Sequence, residues 1–583
     1  MAHGPQTVRL SVRVARPKLL RVMARLLATL LLCALPAKAA VQVWVADESE
    51  KVRPEAPAPP VRRSAIELRA AGGECTGAQI VVRGSAAVEG LTAKARALHG
   101  AKSGAVPIEL SRVATIVLEQ PTGPEGSAGE WPDALIPVRD ALWNETRRAF
   151  PVDVAAGRSQ AIFVEACAPR GAPGRYRGAV HLQWKAGKRP GRASIPVELR
   201  VRAFDIPATP VLITAFGFSG YSAAKAHDKP PDARRELTRL YDTMALRRGL
   251  TLFGGTQDAP PWFDDGDGLR IDWTDYDAEV APFLDGTALP SHARWTAVEL
   301  REPVRLTRDQ RKAWRRAWVE HFRARGWLDR LFAYVHDEPT PADFTRVEGR
   351  ARELREDAPE IRRLVTTSYS DELASIDLWV PLLNCLDVTS PSCPRPVPRA
   401  KYQSLWWYQS CMSHGCGPVR PRDRGVFIGW PSYSIDAPGT AARAMAWLAF
   451  ANGISGELYF DVVNAYHEGD PWRTQWAFAG NGDGTLYYPG TPLRIGGDHD
   501  VPIESLRIVQ IQRGLQDHAY LSLCARLGDA ELATAEARAI APSLRGWARD
   551  PAVYAAARER LAKRIEELSS EHRAGALGLG RTE

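Results

Sequence analysis

Beyond its first forty residues the chain has no apolar run approaching the ~20 residues that a membrane-spanning helix needs. It has no internal repeat and no glycine-rich loop of the kind that cradles a phosphate, which argues against solenoid architectures and nucleotide-binding loops. Two acidic turns, Asp264-Asp-Gly-Asp-Gly268 and Asn481-Gly-Asp-Gly484, resemble the start of a calcium loop. Neither is followed by the glutamate that closes such a loop, so both read as turns. The formal charge of +8 comes from arginines that are scattered or lie in the N-terminal segment, so no nucleic-acid partner is indicated.

What is present is an ordinary globular composition, 45% hydrophobic and 25% charged over 583 residues, enough for one barrel with an attached domain. The 18 tryptophans are the unusual feature, because indole faces suit flat apolar ligands such as sugars as well as cores. Residues 1–39 read as an export signal: basic residues through Arg25, an apolar run from Leu26 to Leu35, and Ala37-Lys38-Ala39 as a small-x-small cleavage site. Met23 would give that signal a more usual length than Met1. Leu32 before Cys33 argues against a lipid anchor. The mature chain is expected to be soluble and exported, periplasmic or secreted. Of its eight cysteines, all but Cys33 would remain, and local spacing suggests Cys75 with Cys167, Cys385 with Cys393 and Cys411 with Cys416. Spacing leaves the connectivity open. A zinc site built from the last four is the alternative, although their spacing is not Cys-x-x-Cys.

From 41 to 205 the texture is β, in segments such as Ala65–Arg69, Gln79–Arg83, Ala161–Glu165 and Ile195–Arg202 separated by turn residues. This predicts a β-sandwich, with Ala172–Gly178 as a hairpin connection and Pro54–Pro60 as a surface loop. Phe204–Pro210 punctuates the chain, and strands then alternate with helices. The expected strands are Ile213–Phe218, Leu250–Phe253, Leu331–Val335, Arg363–Thr367, Leu378–Val380, Ser404–Tyr408, Gly425–Ile428 and Glu457–Phe460. Trp314, Trp318 and Phe322 recur every four residues in an expected helix over 307–325, and Thr340 with Pro341 and Asp343 signals the start of another. The pattern predicts a (β/α)8 TIM-like barrel over 211–525 and a helical tail over 526–583, its last dozen residues disordered.

The chemistry concentrates in Leu331-Phe-Ala-Tyr-Val-His-Asp-Glu-Pro339, a short apolar strand running into two carboxylates. Acids at the C-terminal end of a barrel strand face the open mouth, which makes Asp337 and Glu338 the candidate catalytic pair; the bland alternative is that they cap the next helix. Glycoside hydrolysis needs an acid for the leaving oxygen and a stabiliser for the oxocarbenium-like centre. Adjacent residues on a strand point to opposite faces, so they do not make an ordinary opposed pair. At a strand end turning into Pro339 both can reach one pocket. That arrangement suits a substrate whose own 2-acetamido oxygen attacks the anomeric carbon.

Tyr334-Val-His-Asp-Glu-Pro339 resembles the catalytic segment of glycoside hydrolase family 123 and of the related domain-of-unknown-function 4091 family. Further similar stretches are Trp406–Cys411, Ile435-Asp436 ahead of Arg443 and Trp447, Gly456–Tyr459, Asp470–Trp472, Asn481–Gly490, and Ser505–Arg507 followed by Arg513–Asp517 and Tyr520. The resemblance implies a β-sandwich joined to a (β/α) barrel, no cofactor and no metal, and a retaining β-N-acetylhexosaminidase of the N-acetylgalactosaminidase kind acting on a glycan or glycoconjugate. Asp337 would hold the acetamido group and Glu338 would be the general acid/base. Cys411-Met-Ser-His-Gly-Cys416 departs from the compact Cys-Gly-Pro expected there and would reshape one rim of the pocket.

Tyr369, Trp406, Tyr408 and Tyr459, with Asn464 as a polar partner, are the expected sugar contacts; barrel packing is the alternative for each. Trp447 reads as core, and His336 and His467 as residues that could tune the acids. Two other functions compete. One is a non-catalytic glycan-binding or envelope scaffold protein, which an intact acid pair disfavours. The other is a glycosidase for sugars without an acetamido group, which would need Asp461 or Asp436 as nucleophile.

Overall fold

The computed structural model describes residue 1 and residues 40–576, except 101–103, 255–257, 265, 267, 388–392 and 394–396. The apolar run and cleavage site of the expected leader, with Cys33, lie outside those residues, as do Asp265 and Asp267 of the first acidic turn and residues 577–583.

The N-terminal part is β-rich and two-layered. One sheet orders Val41–Asp47, Cys75–Gly84, Ser159–Cys167, Glu109–Leu118 and Gly129–Pro137. The facing sheet orders Ile66–Gly72, Arg189–Asp205, Gly174–Ala186, Val88–Ala95 and Val152–Val154. Alternate side chains from the two, among them Ile80, Val82 and Ile162 against Val180, Leu182 and Leu199, close a common core. The segment 172–178 is not a hairpin turn. Ser159–Cys167 and Gly174–Ala186 belong to different sheets, so the chain crosses between layers there. Cys75 and Cys167 are opposite partners in the first sheet and form a disulfide.

The C-terminal part is α/β. Its parallel strands are β1 (Ile213–Gly217), β2 (Leu252–Phe253), β3 (Val298–Glu299), β4 (Leu331–His336), β5 (Arg362–Val365), β6 (Leu378–Trp379), β7 (Trp406–Tyr408) and β8 (Gly456–Tyr459). They form two four-stranded sheets, β2-β1-β8-β7 and β3-β4-β5-β6, linked by parallel bridges at Trp379–Leu405 and Leu382–Tyr408. The expected (β/α)8 closure is not made by one continuous ladder. Among the described residues β2 and β3 share no strand pairing; instead Thr296 N–H donates to Thr251 Oγ1 at 2.9 Å and Thr214 N–H to Thr296 Oγ1 at 3.0 Å, so hydroxyls take backbone donors that a ladder would use. Inward residues Ala215, Ala297, Phe332, Leu364, Trp406 and Leu458 share one cluster.

Two expectations about strands need correction. Gly425–Ile428 is not a strand: a short helix, Arg424–Phe427, follows a 3-10 turn there, and its Val426 carbonyl accepts from the Trp430 indole at 2.7 Å. The missing strand is β3, the two residues Val298–Glu299. The expected helices are present. Thr307 caps Arg308–Ala324 in a capping box with Gln310, and Thr340 with Asp343 opens the turn that leads into Phe344–Asp357. The last helix runs Pro551–Ala576, into the stretch expected to be disordered.

Helix Leu506–Arg526 is almost wholly buried and joins the two parts. Arg507 donates to both oxygens of Asp133 in the β-rich part, at 2.9 and 2.7 Å, while Arg513 pairs with Glu48 at 2.9 Å and Glu165 at 2.5 Å. Asp517 accepts from Arg443 at 2.6 Å and from the Trp447 indole at 2.7 Å. Truncating one member of such a buried pair leaves a desolvated charge, a cost of ~3–5 kcal/mol. Arg507 and Arg513, both in the stretches that carry the C-terminal resemblance, therefore fasten the two parts together.

Candidate active site

In β4, Phe332 and Tyr334 point into the inner cluster, while Leu331, Ala333 and Val335 pack outward against helices. The register with β5 shifts between Tyr334 and His336, so the strand end is bulged. Glu338 then takes φ +43°, a left-handed value that is uncommon for a residue with a Cβ and that breaks the up-down alternation of a strand.

Both acids are held by a connected set of hydroxyls. Asp337 Oδ1 accepts from the Tyr334 phenol at 2.7 Å and from the Thr366 hydroxyl at 2.9 Å. That hydroxyl accepts in turn from the Glu338 backbone N–H at 2.7 Å. Glu338 Oε1 accepts from the Tyr408 phenol at 2.5 Å. Both carboxylates remain exposed to solvent while Thr366 is buried. Burial, reinforced by the neighbouring carboxylates, pushes the Tyr334 and Tyr408 phenols well above their ordinary range, so both stay protonated donors.

His336 Nε2 lies 2.8 Å from an Arg346 nitrogen, which can only donate. The Nδ1 proton is thereby left for the Asp337 carbonyl at 2.8 Å. His336 thus holds the backbone between the two acids. His467 contacts Ser222 Oγ instead, at 2.7 Å.

Thr366 and Glu299 were not among the sequence candidates. Thr366 directly follows β5, and its strand-end position was the available signal. Glu299 ends β3 on the same inward alternation as Ala297. Burial raises its carboxyl, opposed by Arg301 at 3.2 Å, and its charge is felt at Tyr334. Asp461, just past β8, accepts from the Val463 N–H at 2.8 Å and is pushed up to about 7 by burial. Asp436 accepts from both the backbone N–H and the hydroxyl of Thr122 in the β-rich part.

The expected sugar contacts separate into two groups. Trp406 and Tyr459 are both 0% exposed: Trp406 fills the interior below the strand ends, and the Tyr459 phenol donates to Asp483 at 3.2 Å. Neither presents a face for stacking, which corrects the platform expectation for these two. Tyr408 reaches the acid pair through its hydroxyl. Tyr369 lies half-buried with its ring against Trp379 at 5.0 Å and its hydroxyl on Asp371, and Asn464 opens a turn beyond β8, half-buried.

Cys411–Cys416 and Cys385–Cys393 are disulfides, and Cys524 is a buried free thiol. Among the described residues, Cys411, His414, Cys416 and Asp483 have metal-ligand-type atoms within 4.8 Å of one another. With the two sulfurs joined to each other, only the histidine and the carboxylate remain as donors. Asp483 accepts from the Cys411 N–H at 2.8 Å, so Asn481–Gly484 is an internal tie. No helix among the described residues is long and apolar enough to cross a membrane.

No curated protein matches the chain. Among solved structures, a family 123 glycoside hydrolase from Clostridium perfringens, described for glycolipid glycan hydrolysis, superposes with a TM-score of 0.62 at 12% identity, covering 91% of this chain and 99% of that one. A bacterial Ig-like domain containing GH10 xylanase from termite gut aligns with 61% of this chain and 90% of its own at 9% identity, but its TM-score of 0.26 is too low to bear on the fold. Residues 308–524 match the catalytic domain of glycoside hydrolase 123, a span that contains Asp337, Thr366, Glu338 and Tyr408. Those residues are therefore similar to a glycoside hydrolase 123 catalytic domain, and the chain that carries them is a glycoside hydrolase.

Proposed function

We propose that the chain is an exported, retaining β-N-acetylhexosaminidase of the N-acetylgalactosaminidase kind, working by substrate assistance. The observation that carries this reading is the link of Asp337 to Glu338 through Thr366, with the left-handed φ at Glu338 breaking the strand alternation between the two acids. In this reading residues 41–205 form a sandwich module, 211–525 a (β/α)8-like barrel with its mouth at the acid pair, and 526–583 a tail. Residues 1–39 direct export, which the three disulfides and the absence of a long apolar helix among the described residues both suit.

Asp337 accepts the amide N–H of the substrate's 2-acetamido group and aims its carbonyl oxygen at the anomeric carbon. That oxygen forms the new C–O bond as the glycosidic bond breaks, while Glu338 gives its proton to the leaving oxygen. Glu338, now a carboxylate, takes a proton from the water that reopens the cyclised intermediate. Two displacements at one carbon return the original configuration. Tyr408, Tyr369 and Asn464 are the proposed sugar contacts. The substrate is a glycan or glycoconjugate.

A glycosidase for sugars without an acetamido group would need a separate ionised nucleophile. Asp436 has both oxygens engaged by Thr122. Burial pushes Asp461 up to about 7, which disfavours the ionised form that a nucleophile needs. Neither is suited to the task, and a scaffold without turnover would have no need to keep two exposed acids in this arrangement. A thiazoline mimic of the cyclised intermediate tests the reading: it should inhibit at low concentration, and an active enzyme indifferent to it would contradict substrate assistance.

A further inference from the structure

Trp476 pairs with Asn481 and Ala477 with Gly480, which leaves Phe478 and Ala479 as a two-residue hairpin turn. Both have left-handed φ, +49° and +60°. Such turns ordinarily use Asn, Asp or Gly, since residues with larger side chains are strained in that region. Phe478 is moreover 69% exposed, so little burial compensates the strain. A bulky ring in a strained and solvated position contributes little to the fold, and strain of this kind collects at ligand sites.

Its surroundings hold it in place. A Cβ added at Gly480 would lie 2.6 Å from Cys411 Sγ and 2.8 Å from Cys416 Sγ, so the hairpin rests directly on that disulfide. Asn481 is anchored to Thr122 by two bonds of 3.0 Å. The Phe478 ring meets Phe460 edge-on, with centroids 5.4 Å apart. Phe460 is the first residue beyond β8 and packs beside Tyr459, while Leu458 of the same strand pairs with Tyr408 of β7, the residue bonded to Glu338. The ring therefore stands one strand beyond the acid pair's own partner.

We infer that Phe478 is a specificity-determining residue: its exposed face stacks on the sugar ring beyond the scissile bond, with the Cys411–Cys416 disulfide fixing the hairpin that presents it. This rests on the proposed hexosaminidase reading and adds an outer position to it. An apolar pyranose face on an aromatic ring is the matching chemistry.

The test compares wild type with Phe478→Ala and Phe478→Tyr, using a 2-acetamido-2-deoxy-β-galactosyl-galactose disaccharide as substrate and the thiazoline as a probe of the scissile-sugar position alone. Phe478→Ala should raise KM for the disaccharide ~10-fold with kcat little changed and thiazoline inhibition unaltered, and Phe478→Tyr should restore KM. Its melting temperature should match wild type. An unchanged KM, or equal weakening of disaccharide and thiazoline, overturns the proposal while leaving the hexosaminidase reading intact. A wild-type protein inert toward both compounds overturns that reading and this inference together.

Discussion

The Tyr408 phenol donates to Glu338 at 2.5 Å, joining the end of β7 to an acid just beyond β4, with two strands between them. Burial keeps the phenol protonated, so it acts as a fixed donor that orients the carboxylate. Tyr408→Phe removes one hydrogen bond to a charged group, worth ~1.5–3 kcal/mol. In the hydrolysis of an aryl 2-acetamido-2-deoxy-β-galactoside, kcat/KM should fall by ~10-fold or more with the fold retained. An unchanged value in a correctly folded variant would remove Tyr408 from the site.

Thr366 bridges the two acids, accepting from the Glu338 backbone and donating to Asp337. It is a positioning residue, so shape without the hydroxyl should fail and the hydroxyl without the methyl should largely succeed. Thr366→Val is expected to lower kcat ~10-fold to 100-fold, and Thr366→Ser to recover most of it. Equal loss in both variants, tracked by equal loss of melting temperature, would point to packing alone.

Burial pushes Glu457 up to about 7 from its ordinary 4.5, with the Tyr433 phenol partly supporting its charge. Between those values the folded protein keeps a proton that the unfolded chain has released. Glu457 therefore contributes stability that is fully present below pH ~4.5 and is lost as pH rises toward 7, on the order of 3 kcal/mol across the window. His414, pushed down to about 4, acts in the opposite direction. The comparison that isolates Glu457 is melting temperature against pH for wild type and Glu457→Gln. Wild type should lose ground to the variant from pH 4.5 to 7, and parallel curves would contradict the assignment.

How much of this was legible in the sequence varies with what each residue answers to. The apolar run 331–335 and its two acids were readable because strand and chemistry are contiguous. The disulfide pairs suggested by spacing are those the structure forms. Thr366 was not legible, because its importance comes from the packing of β5 beside β4, a contact between residues far apart in the chain. Trp406 and Tyr459 misled for a related reason: an aromatic near a strand end can face the mouth or lie just below it, and one layer decides between platform and core. The two-residue strand β3 was missed, and Glu299 with it. Arg507 and Arg513 stood out as part of a pattern, but only the fold shows that they fasten the β-rich part to the catalytic part, while Asp517 ties Arg443 and Trp447 within the latter.

The central claim is that the substrate supplies its own nucleophile while Glu338 handles the proton. The most direct measurement is the hydrolysis rate of two aryl β-galactosides that differ only in carrying a 2-acetamido or a 2-hydroxyl group, with wild type and Glu338→Gln side by side. Wild type should cleave the acetamido compound and leave the hydroxyl compound essentially intact, and Glu338→Gln should lose ~10²–10⁴ of that activity. Comparable cleavage of both sugars by wild type, or full activity in Glu338→Gln, would contradict it.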